Sequence, residues 1–269
     1  MTLFKRQFAS CMRNPRWLII IAVAIGILIV QYRTAFRPVW VLPDINPNFF
    51  NYMLLFNYFG QGSVLYLMLL PFLASLAGGS VYSTEKIGGR LPLLLARDSR
   101  LTLIRTSLAS GFVAGGIGGT APLLISLVIA VVREPHMEFV DGVQHSAEYY
   151  PLITSDSWVY GLYCYNQILL LLLTVIYIFL LSGLCADLSI GSSFFTKRRY
   201  LEIPVPFILS YLIWAATDVP GHAGLSFITF LELRAANAPN CALGATITLP
   251  ALAAIVYALY SLEIRHDVR

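Results

Sequence analysis

The sequence predicts an all-α, polytopic membrane protein. Hydrophobic residues make up 58% of its 269 positions, and charged residues only 12%. A soluble domain carries about twice that share of charge. The apolar residues also fall in long continuous runs, such as ILLLLLTVIYIFLL over residues 168–181. Strands of a membrane barrel alternate polar and apolar positions, whereas a continuous run satisfies its backbone only as a helix. These observations exclude a soluble globular domain, a disordered chain and a nucleic-acid-binding domain. The whole chain, 1–269, reads as a single membrane domain.

Residues 3–16 come first. Leu3, Phe4, Phe8, Cys11 and Met12 recur at helical spacing with basic residues between them. This predicts an amphipathic helix lying at the interface and ended by Pro15. A frayed basic tail is the plainer alternative.

Six spans follow, at residues 17–35, 57–83, 103–132, 163–186, 203–217 and 242–262. A span needs about 20 apolar residues, so the first and fifth are short. No small-residue cleavage site follows the first span, so it is expected to be retained. The third contains Gly111, Gly115 and Gly119 at four-residue spacing. That spacing predicts a surface where a neighbouring helix approaches closely. No Gly-Lys-Ser/Thr follows these glycines, so a phosphate-binding loop is excluded.

Lys and Arg set the orientation. All but four of the 18 lie in the N-terminal segment, in the loops between spans two and three and spans four and five, or at the C-terminus. The exceptions are Arg33, Arg37, Arg133 and Arg234, on the side that also holds most of the acids. Both termini are therefore expected in the cytoplasm, and an even number of spans agrees. The net charge of +4 follows from this sidedness and calls for no nucleic acid.

Between spans two and three, residues 83–105 read STEKIGGRLPLLLARDSRLTLIR. Gly88 and Gly89 break a helix and Pro92 can begin another. A short surface helix with a leucine side and a charged side fits, as does an ordinary positive loop. On the other face, residues 133–158 form an acidic segment. Tyr149, Tyr150, Trp158, Tyr160, Tyr163 and Tyr165 cluster around its end, as in an interfacial aromatic belt. Before the last span, residues 225–231 are apolar but too short to cross. They suggest a re-entrant helical segment, with a surface loop as the alternative.

Catalytic patterns are missing. Cys11, Cys164, Cys185 and Cys241 form no CxxC pair, and free buried thiols are expected, with a Cys164–Cys241 disulfide the alternative. His136 and His145 beside Glu134, Glu138 and Asp141 read as a solvated acidic loop rather than a metal site. The sequence offers no charged residue in mid-span for a proton relay, and Asp187 falls at the cytoplasmic end of span four.

The layout resembles the ABC-2 type permease family, the membrane subunits of certain ATP-binding-cassette exporters. The resemblance rests on the basic N-terminal segment, the six spans, the re-entrant segment and residues 72–111. In that stretch stand Glu85, Gly88 or Gly89, Leu93–Leu95, Ser99–Arg100 and Arg105, the last at a position where the family often has Lys. It implies a non-enzymatic permease with no cofactor of its own, ATP and Mg being bound by separate cytoplasmic ATPase subunits. It further implies a second permease, identical or a sister subunit, and a place in the plasma (bacterial inner) membrane. Glu85, Arg90, Arg97, Asp98, Arg100 and Arg105 are then the expected ATPase-coupling residues. The compact chain looks like permeases that export antimicrobial peptides. A stand-alone membrane immunity or assembly factor is the competing class, and an adjacent ATPase gene separates the two.

Overall fold

A computed structural model of the chain describes residues 3–35, 49–57, 60–96, 99–135, 153, 157–196, 198, 200–218, 221–233 and 238–266. Among them the regular structure is helical, with no strand. Arg97 and Asp98, most of the acidic segment with Tyr149 and Tyr150, His136 and His145, and Arg234 lie outside the described residues.

Helix α1 (Leu3–Met12) leads through a short turn into α2 (Arg16–Ala35). The indole Nε1 of Trp17 donates to the carbonyl of Cys11, closing the C-terminal end of α1 at 3.0 Å. Helix α3 (Gly62–Gly78) and α4 (Val81–Ile87) meet at a 44° bend over Gly79 and Ser80. Gly89, at φ +70°, supplies the left-handed turn that lets α5 (Leu91–Leu95) leave in a new direction. The long α6 (Arg100–Arg133) starts at Ser99, whose side chain accepts from the amide of Thr102.

Helix α7 (Tyr160–Tyr165) is a short approach to α8 (Gln167–Ser193). Asn166 is extended between them and accepts from the Leu169 amide at 3.0 Å, which caps α8. Helix α9 (Pro204–Thr217) follows. A 3-10 turn at Ala223–Leu225 and the four-residue α10 (Phe227–Phe230) lead to the last helix, α11 (Cys241–His266).

Four helices, α2, α6, α8 and α11, are long and apolar enough to cross a membrane, and the bent α3–α4 pair makes a fifth if taken as one span. These helices are compatible with a membrane protein. Their outward faces agree: Ile19, Ile25 and Ile29 on α2, Leu172 and Ile176 on α8, and Ile247 and Ile255 on α11 are all exposed. Apolar surface of this extent is unusual in water and ordinary against acyl chains.

Helix α6 is the hub. It packs on α1, α2, α3, α4 and α8, while α11 lies on α8 and on the α10 turn. At one end of the bundle, residues 49–56 form a buried plug in which Phe49, Phe50, Met53, Leu54, Leu55 and Phe56 are all sealed from solvent. Ser63 and Ser126 hydroxyls accept the amides of Leu55 and Leu54, so the tucked backbone stays satisfied.

Several elements differ from the sequence reading. The expected span 57–83 is divided, because Gly79 and Ser80 break the helix before its polar end. The expected span 163–186 is displaced to Gln167–Ser193. Asn166 opens a cap at its start, and a small-residue face continues the packing past Ala186 at its end. Asp187 therefore lies within α8, buried, more than a turn before the helix stops. The fifth segment, α9, is short as expected, at 14 residues. The segment before α11 is two short helical turns with Phe227, Ile228 and Phe230 buried.

Candidate functional site

Most of the expected coupling residues meet at one end of the bundle, where α1, α4, α5, the start of α6 and the end of α11 converge. We refer to it as the basic end. Helix α1 lies along α6 there. Its buried positions are Gln7 and Cys11, four residues apart on one face. Phe4 and Phe8 are only half-buried and stack on each other at 6.0 Å.

Gln7 is the polar centre of this contact. Its Nε2 donates to Glu85 Oε2 at 2.9 Å and to the buried Ser107 hydroxyl at 3.0 Å. Glu85 also faces Arg6 at 3.9 Å, a loose ion pair because Arg6 is half exposed. Burial pushes the Glu85 carboxyl above its usual range. The Gln7 hydrogen bond and the Arg6 and Arg90 guanidiniums pull it the other way. Burial likewise pushes the Cys11 thiol up to about 11, against the opposing charge of Arg16.

Arg100 and Arg105, expected to face an ATPase, are engaged inside the chain. Arg100 Nη2 meets Glu263 Oε1 at 2.5 Å, with the carboxylate almost fully covered. Arg105 Nε donates to the Tyr260 hydroxyl at 3.1 Å. Both contacts hold the end of α11 against the start of α6. Arg90 is exposed beside Gly89, and Leu93 is 75% exposed at the crest of α5. Leu94 points the other way into a small core with Tyr82, Leu103, Ile104, Ile190 and Phe194.

Four further contacts brace this end. Arg16 donates to the Ser80 hydroxyl at the α3–α4 bend and lies 4.5 Å over the Tyr200 ring. Lys86 Nζ donates to the Phe194 carbonyl at 2.9 Å beyond the C-terminus of α8. Ser83 donates to Glu202, which is fully buried.

The three glycines of α6 sit at the tightest helix contact. A β-carbon on Gly111 would strike the Ile190 side chain, one on Gly115 the Ala186 methyl, and one on Gly119 the Ser182 hydroxyl. These partners descend α8 in steps of four as the glycines ascend α6, so the helices are antiparallel along one seam. On the next face, a β-carbon on Gly78 would meet the backbone carbonyl of Gly111, so α3 and α6 touch main chain to main chain.

Sequence reasoning missed Gln7, Glu202 and Glu263. Each is a lone polar residue whose partner is supplied by a distant element, and no spacing rule signals such a pair. The four cysteines are free, with Cys164 exposed and Cys241 buried, so the alternative of a disulfide between those two is not realised. Among the described residues no group of three His, Cys, Asp or Glu is placed to hold a metal.

Comparison with family models, with curated proteins and with solved structures finds no match to this chain. The described residues define a helical chain with four helices able to cross a membrane. Function therefore has to be read from the basic end and the helix seam.

Proposed function

We propose that the chain is the membrane-spanning permease subunit of an ATP-binding-cassette exporter, driven by separate ATPase subunits that dock at α4 and α5. One observation carries this reading. The exposed elbow of α4–α5 hangs on two helices, α3 and α6, whose backbones touch at Gly78 and Gly111. A push on Leu93 or Arg90 is passed through Leu94 and its core into α6 and α8, and from α6 to α3 where Gly111 meets Gly78, because close-packed interiors transmit displacement. An elbow with an apolar crest and a charged rim suits a protein groove better than bulk water.

In this reading the six crossings are α2, α3 continued to residue 83, α6, α8, α9 and α11, with the rest of α4 and both termini on the cytoplasmic side. Helix α9 spans about 21 Å at 1.5 Å per residue, short of the ~30 Å hydrocarbon core, and its neighbouring turns complete the crossing. Helix α1 lies at the cytoplasmic interface, and residues 223–233 re-enter from the outside. ATP and Mg stay on the partner, and nothing in this chain hydrolyses nucleotide. A second permease covers part of the exposed apolar surface, for which α11 is the best supplied: only 11% of its apolar window is buried.

The test is co-purification in mild detergent from cells expressing the chain with an ATPase encoded beside it. Arg90→Glu and Leu93→Asp are expected to abolish capture while leaving the melting temperature unchanged. Wild-type protein that captures no ATPase and functions without one would point instead to a stand-alone immunity or assembly factor.

A further inference from the structure

At the basic end a cavity of about 370 Å³ opens between α1 and the α3–α4 junction. It lies in the size range of small-molecule sites. Arg6, Gln7, Ser10, Thr84, Glu85 and Arg90 are among the groups that line it. The lining is bipolar. Gln7 is 1% exposed, and its Oε1 accepts no hydrogen bond among the described residues. Beside it the Glu85 carboxylate, still 12% exposed, lines the cavity and asks for an N–H cation. The exposed rim carries the Arg6 and Arg90 guanidiniums and the Ser10 and Thr84 hydroxyls, which suit a phosphate.

We infer that this cavity binds a phosphoethanolamine group, the ammonium against Glu85 and the phosphodiester at Arg6 and Arg90. A simple anion is disfavoured by Glu85 on the wall. A choline head is disfavoured because its quaternary nitrogen has no N–H to give. The same chemistry occurs in a phospholipid and in a soluble phosphodiester. The lipid is the source, because the cavity flanks α1, whose half-buried Phe4 and Phe8 beside basic residues suit a membrane interface. The inference rests on the membrane reading and on no ATPase partner.

The experiment is native mass spectrometry of the full chain, released from mixed micelles holding equal amounts of phosphatidylethanolamine, phosphatidylcholine and phosphatidylglycerol. Retention of phosphatidylethanolamine about tenfold above the other two is expected, and Glu85→Gln should lower it about tenfold. Arg6→Gln, at an exposed position that puts folding at no risk, should lower it severalfold. Equal retention of the three lipids, preference for phosphatidylglycerol, or retention unchanged in both variants overturns the inference. Displacement of the bound lipid by millimolar glycerophosphoethanolamine overturns the lipid source and assigns the soluble zwitterion. None of these readouts contains an ATPase, so failure here leaves the permease reading standing, and failed ATPase capture leaves this site standing.

Discussion

Arg100 and Glu263 stand 163 positions apart in sequence and meet at 2.5 Å, tying the last turns of α11 to the first turn of α6. The contact engages Arg100 within the chain while its side chain stays 35% exposed. It also gives the basic end a lock that can be tested by exchange. Arg100→Glu sets two carboxylates together in a largely covered position and should cost about 2–4 kcal/mol. Combining it with Glu263→Arg should recover at least half of that loss, read as melting temperature in detergent. Independent effects of the two changes would remove the pair from the structural account.

The α6 seam makes a sharper stability prediction. Gly115→Val drives two methyls into Ala186, and the helices must part. The expected cost is about 2–3 kcal/mol, with a lowered melting temperature. Gly26→Ala, where nothing lies within reach of the added carbon, should be neutral or slightly stabilising. Equal effects at the two sites would show that the seam is not tight.

These two contacts mark what the sequence can and cannot reveal. Gly111, Gly115 and Gly119 were legible because small residues at four-residue spacing have few uses in an apolar helix other than close approach. The apolar runs were legible because backbone satisfaction in lipid leaves only helices. The bend at Gly79 and Ser80 was hidden, since the apolar pattern runs on through it. The contacts of Arg100 and Arg105 within the chain were hidden for a related reason. Their positions in the basic loop are visible, but Glu263 and Tyr260 come to them only through the packing of α11. The plug of residues 49–56 was equally hidden, because an apolar stretch before a span looks like more span.

The Glu85 carboxyl gives a pH signature. Its protonation range is raised in the folded chain, chiefly by burial. The fold therefore binds that proton more tightly than the unfolded chain does. The resulting contribution is fully present below the unfolded carboxyl range and is lost as pH rises through the raised folded range. Melting temperature should fall over that window, and Glu85→Gln should flatten this part of the profile. An unchanged profile would mean that Glu85 is solvated.

Thiol labelling checks burial and sidedness together. Cys164 is the exposed cysteine, while Cys11, Cys185 and Cys241 are buried. A membrane-impermeant maleimide added to intact cells should modify the wild-type chain and not Cys164→Ser. Labelling that appears only after lysis would reverse the proposed orientation.

The most direct measurement is ATP hydrolysis by the assembled complex. The chain should be co-expressed with its neighbouring ATPase, reconstituted in vesicles, and compared with Leu93→Asp. The expected result is that the wild-type chain binds the ATPase and changes its turnover severalfold, and that Leu93→Asp removes both effects without altering its own melting temperature. An ATPase whose turnover and binding are indifferent to the wild-type chain would contradict the permease function.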